Sequence, residues 1–148
     1  MNIIKIHALR LLALAALGLF SFSAQAADKK AAGPNGGRLL TTEPRAEFFV
    51  TAERKVQITF LDPSNQPVAP TEQVVTVTAG ERSAPTTLKF ARSGNALLSD
   101  VALPAGNAVP AVIQIKANAA AKNTIERFNV DLSKCPECKK AEYACVCH

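Results

Sequence analysis

The stretch Lys55-Val56-Gln57-Ile58-Thr59-Phe60 places Val56, Ile58 and Phe60 in alternation with Lys55, Gln57 and Thr59. A period of two belongs to a strand whose side chains point by turns to core and solvent. The beat returns in Phe128, Val130 and Leu132 against Arg127, Asn129 and Asp131, in Ile113 and Ile115 against Gln114 and Lys116, and in Leu88 and Phe90 around Lys89. Turn chemistry divides these runs: Gly33-Pro34-Asn35-Gly36-Gly37, Asp62-Pro63-Ser64-Asn65, Ala79-Gly80-Glu81, Ser93-Gly94-Asn95 and Pro104-Ala105-Gly106-Asn107. The pattern predicts strands near residues 38–42, 46–51, 54–61, 73–79, 86–91, 96–102, 110–118 and 124–132. Seven or eight short strands with no helix between them imply an all-β fold, an antiparallel immunoglobulin-like β-sandwich. A small barrel shares the same local pattern. Phe48 and Phe49 are adjacent and so point to opposite faces of their strand, each expected to find core packing in a two-layer protein.

Outside this body the chain changes character. Residues 1–26 read as a signal helix: Lys5, His7 and Arg10, an apolar run from Leu11 to Phe20, then Ala24-Gln25-Ala26 as a small-residue cleavage site. The apolar run is shorter than the roughly 20 residues that span a bilayer, so no stable membrane insertion is expected after its removal. The expectation is a periplasmic protein of a Gram-negative-type cell. A mobile segment at 27–32 leads into the β-sandwich domain at 33–132, and a flexible Cys-rich tail at 133–148 follows, outside the core.

Composition narrows the function. The chain has 148 residues, a formal charge of +5, no Trp and one Tyr. Its Lys and Arg are scattered and few aromatics are available to stack bases, which argues against nucleic acid as a partner. His7 falls in the signal and His148 is the last residue, so the body lacks the commonest general base. No paired-carboxylate motif stands out either, and the reading is not that of an enzyme.

The sharpest signal is at the C-terminus. All four cysteines fall in Cys135-Pro136-Glu137-Cys138 and Cys145-Val146-Cys147-His148. None lies in the body, so they cannot staple its layers together. Cys-x-x-Cys and Cys-x-Cys each set two sulfurs close enough for one ion. Folding the pairs together would make a near-tetrahedral thiolate site for Zn(II), and thiolates also suit Cu(I). His148 is an auxiliary donor in this reading, and Lys139 and Lys140 would offset part of the thiolate charge. Two alternatives stay open. In an oxidising compartment the four cysteines can close into two disulfides by any of three pairings, leaving an immunoglobulin-like interaction module. The Cys-Pro-x-Cys run is also that of thiol redox sites, but it lacks their strand-to-helix context.

Gly33-Pro34-Asn35-Gly36-Gly37-Arg38-Leu39-Leu40 and the strands running to Phe60-Leu61-Asp62 resemble a segment of periplasmic heavy-metal efflux adaptor proteins and their small exported companions. There a Gly-Pro-His-Gly-Gly-Arg-like run precedes a strand pair; here Asn35 stands where the histidine would be, so no metal role passes to it. Asn-Gly by itself reads as a plain hairpin turn. The resemblance covers about thirty residues and implies an exported β-domain in a metal-handling setting, with a metal efflux protein or another exported protein as partner.

Overall fold

The computed structural model describes residues 31–147; the expected signal segment at 1–26, most of the 27–32 segment and His148 lie outside them. Nine strands follow in order: β1 (Arg38–Leu39), β2 (Ala46–Val50), β3 (Lys55–Leu61), β4 (Pro67–Val68), β5 (Val74–Ala79), β6 (Thr86–Ser93), β7 (Ala96–Ala102), β8 (Ala108–Lys116) and β9 (Thr124–Asp131). Among the described residues the one helical element is a 3-10 turn at Glu142–Ala144. The fold is therefore all-β, as the alternation indicates. β4 escaped the sequence pattern, because two residues carry no period.

All strand pairs are antiparallel, in the order β1-β2-β3-β7-β6-β5-β8-β9, with β4 on β3. Here β6 belongs to both halves: Thr86–Lys89 pair with β5, and Phe90–Ser93 pair with β7. The hydrogen-bonded path is thus one continuous sheet, curled into a half-barrel so that β2 comes to face β9. The rings of Phe48 and Phe128 meet edge to face across the interior, 5.2 Å apart.

The alternating positions fill that interior. Val56, Ile58 and Phe60 from β3, Val75 and Val77 from β5, Leu88 from β6, Ile113 and Ile115 from β8 and Val130 from β9 form one buried cluster. Phe48 is in it, whereas Phe49 is half-buried on the opposite face and outside the cluster, so the adjacent phenylalanines do not share the core. Tyr143 and Ala144 are also members. The Cys-rich segment, expected to lie outside the core, instead supplies part of it.

The two ends of the sheet do not pair with each other. Side chains close the seam: Thr41 donates through its N–H and hydroxyl to Glu126 Oε2 at 2.7 and 3.1 Å. The Arg38 guanidinium lies 4.4 Å from the Phe128 ring centroid and 3.5 Å from Glu126 Oε1. The 3-10 turn then packs against both β9 and β1, filling the mouth between them.

On the outer face of β2 and β3, directly paired Glu47 and Thr59 are buried beneath the Gly33–Gly37 loop. Glu47 accepts from Asn35 N–H at 2.9 Å, from Asn35 Nδ2 at 2.7 Å and from Gly37 N–H at 2.7 Å. The glycines permit the close approach. A Cβ at Gly33 would sit 2.4 Å from the Glu47 carboxyl carbon, and one at Gly37 2.4 Å from the Phe48 carbonyl oxygen. Asn35 also reaches Thr59 Oγ1 at 3.3 Å, so its side chain serves the turn. Glu47→Ala strands these donors beneath the loop and should lower stability by about 3 kcal/mol. Urea unfolding at an unchanged slope would read this directly, and a loss under about 1 kcal/mol would mean that water replaces the carboxylate.

Candidate metal centre

β9 ends where the Asp131 carboxylate turns back on the chain, accepting from Ser133 N–H at 2.9 Å and from the Ser133 hydroxyl at 2.5 Å. Such a side-chain-to-backbone turn redirects the backbone without a glycine. A small hairpin follows. Glu142 N–H donates to Ser133 O at 2.9 Å, Cys135 N–H to Lys140 O at 2.8 Å, and Lys139 N–H to Cys135 O at 3.0 Å. Lys139 takes the left-handed conformation, φ 61°, that this tight return requires. Cys135 and Cys138 stand at the hairpin tip. Beyond Ala141 the 3-10 turn delivers Cys145, whose N–H donates to Glu142 O at 3.1 Å, and then Cys147.

The outcome is convergence. The four cysteines are free thiols, and their sulfurs all lie within 4.8 Å of one another. Cys145 Sγ is 3.2 Å from Cys147 Sγ and 3.3 Å from Cys135 Sγ, while the Cys135–Cys147 and Cys138–Cys145 separations are each 3.6 Å. A tetrahedron of sulfurs around zinc, with bonds near 2.3 Å, has edges of roughly 3.8 Å, so the cluster is slightly tighter than a filled site. A covalent bridge would need about 2.05 Å, well inside every one of these distances.

Backbone amides polarise one side of the cluster. The Cys138 N–H, then the Cys145 thiol, hold the Cys135 thiol below its ordinary value, with the Glu137 N–H adding to them. The Lys140 N–H, followed by the Cys147 thiol, brings Cys138 down to about 7. Cys147 moves upward, because its S–H donates to neighbouring sulfurs, Cys145 first and Cys138 next. These shifts lean toward the thiolate on the Cys-x-x-Cys pair and toward the protonated thiol on the Cys-x-Cys pair. A cation entering the centre would take the place of the remaining protons. Lys139 sits on the knuckle with its ammonium donating to Pro136 O at 2.6 Å.

Burial grades across the site. Cys135 is 0 % exposed, Cys138 and Cys145 are half-buried, and Cys147 is exposed. All four predicted thiol ligands are thus brought together. His148 lies outside the described residues.

One residue of the site was missed in the sequence. Tyr143 is the chain's single tyrosine and lies between the two cysteine pairs. Its hydroxyl accepts the Val50 N–H at 2.9 Å, and its ring meets Phe48 edge to face at 5.9 Å. Burial, opposed by that hydrogen bond and reinforced by the Glu47 charge, raises its pKa, so the hydroxyl stays neutral. An aromatic between ligand pairs, in a run otherwise of small and charged residues, was the available signal.

Comparison with protein-family models, curated proteins and solved structures finds no match. Among the described residues, no helix is long and apolar enough to cross a membrane. In the metal-free, folded protein Cys135 should be the last of the four thiols to react with iodoacetamide. Timed labelling with peptide mapping checks the order, and Cys135 reacting as fast as Cys147 would contradict its burial.

Proposed function

We propose that the protein is an exported, periplasmic metal-binding protein that holds one Zn(II) or Cu(I) ion through Cys135, Cys138, Cys145 and Cys147. The observation that carries this reading is the convergence of four sulfurs from two short-spaced pairs to within 4.8 Å. Four-sulfur tetrahedral sites suit zinc and iron–sulfur centres, and a full set of four protein ligands is the mark of a site that holds its ion rather than one that activates water. Zn(II) is therefore favoured over Cu(I), and binding over catalysis.

Export is supported by the character of residues 1–26 and the metal-handling setting by the resemblance to efflux adaptor segments. The β-body serves as scaffold. Its facing halves, in contact through Phe48 and Phe128, are the support for a sandwich-like, immunoglobulin-type arrangement. The gradient from buried Cys135 to exposed Cys147 gives the site one accessible corner. Ligand exchange with another exported protein, such as a component of a metal efflux assembly, begins at Cys147 in this reading.

Native mass spectrometry of the full exported chain, reduced and supplied with Zn(II), should show one ion per chain. The Cys138→Ser/Cys147→Ser double variant should weaken Zn(II) binding by at least about a hundredfold, more than the loss usually seen for outer-shell changes. Equal affinity in the double variant, read by competition with a chromophoric chelator, would remove these residues as ligands.

A further inference from the structure

Tyr143 joins two features that the metal reading leaves separate, the thiol cluster and the seam of the sheet. β1 contributes only Arg38 and Leu39 to pairing, opposite Phe48 and Glu47. Among the described residues the edge of β2 beyond Phe48 has no strand beside it, because the chain there enters the Gly33–Gly37 turn. Val50 N–H is on that edge, and the Tyr143 hydroxyl satisfies it at 2.9 Å. The same ring rests on Phe48, which in turn rests on Phe128 of β9. Tyr143 thus holds β2 directly and reaches β9 through Phe48, while the 3-10 turn that carries it packs against β9 and β1 where the sheet fails to close.

The thiol pairs flank this residue. Cys135 and Cys138 precede it, and Cys145 and Cys147 follow. Three main-chain hydrogen bonds shape the hairpin on one side, Glu142 to Ser133, Cys135 to Lys140 and Lys139 to Cys135. After Cys145 N–H bonds to Glu142 O, no main-chain hydrogen bond among the described residues fastens the Cys145–Cys147 arm to the sheet. A cleft of about 490 Å³, bordered by Leu40, Thr42, Arg45, Tyr143 and Cys145, lies beside the arm, so packing there is incomplete. What ties the arm back to buried Cys135 is the sulfur cluster.

We infer that Tyr143 makes the four-thiol site a clasp on the sheet: an ion bound there holds the 3-10 turn in the mouth between β1 and β9, and the seated turn in turn raises the affinity for the ion. The inference rests on the metal-binding reading. Coupling of this kind is reciprocal, since one free energy links the two events. Tyr143 is a positioning residue and not a ligand. Its hydroxyl carries the effect to β2, and its ring carries it to the core.

The test uses the full exported chain, with Zn(II) and Co(II) as probes. Hydrogen exchange by NMR is compared in the loaded protein and after chelation under reducing conditions. Removal of the ion should speed exchange at Val50, Leu132 and Glu142 at least tenfold and leave Val77 and Leu88, in the β5–β6 pair, unchanged. Tyr143→Phe keeps the ring and removes the acceptor. It should retain the sulfur-to-Co(II) charge-transfer bands of a four-thiolate site, bind Zn(II) about tenfold more weakly, and exchange quickly at Val50 even when loaded. Tyr143→Ala should weaken binding further.

The failures separate. If Zn(II) binds through the thiols but exchange is the same with and without it, the clasp is overturned and the metal reading stands. Unaltered Zn(II) affinity in Tyr143→Phe overturns the positioning role in the same way. If neither probe binds, the metal reading falls and takes the clasp with it.

Discussion

An antiparallel sheet that curls without closing leaves two unpaired edges and an open mouth to its core. In this protein β1 and β9 are those edges, and the remaining architecture is arranged around the gap between them. Full closure would have needed hydrogen bonds between the ends, which a two-residue β1 cannot supply. Instead Arg38 and Thr41 reach Glu126 and Phe128 across the rim, and the 3-10 turn fills the mouth beneath. The rim contacts are exposed or half-exposed and contribute modestly. Burial of Tyr143 and Ala144 against Phe48 contributes more, because it removes apolar area from water.

The outer face is closed by equally few groups. Glu47 occupies a strand position that alternation assigns away from the core, yet it is 0 % exposed. The loop over it brings main-chain and side-chain donors in place of water, which a buried carboxylate requires. The glycine-rich run therefore has a structural account: it must approach a carboxylate and a carbonyl more closely than any Cβ allows. Asn35 completes this hydrogen-bonded cap by donating to Glu47 and Thr59.

Together these two features set the conditions for the thiol cluster. One end of the cluster is fixed by Cys135, buried against the body, and the other reaches solvent at Cys147. A short chain segment is held at both ends only when something bridges it, and four sulfurs at 3.2–3.6 Å along their closest edges are a bridge in waiting. Thiols held at such distances lose conformational freedom with little direct return, and in the proposed function a bound ion would supply that return.

The sequence alone determined the strands, since a period of two survives any arrangement of the sheet: Val56, Ile58 and Phe60 are all buried, as their spacing required. It also determined the four ligand candidates, because cysteines gathered into two short-spaced pairs can meet with little chain between them. It did not determine β4, too short to carry a period, or the continuity of the sheet, which depends on β6 exchanging partners at Phe90. Nor did it place the tail. Tyr143 stands out as a lone aromatic among small and charged residues, but no periodicity says what it packs on, and only the unclosed mouth between β1 and β9 gives it and Ala144 somewhere to go. Glu47 was hidden for the same reason, since its donors come from a loop ten and twelve residues away. Periodicity and spacing record what a residue does with its chain neighbours. Which gap needs filling, and which charge needs covering, is decided only when distant segments meet.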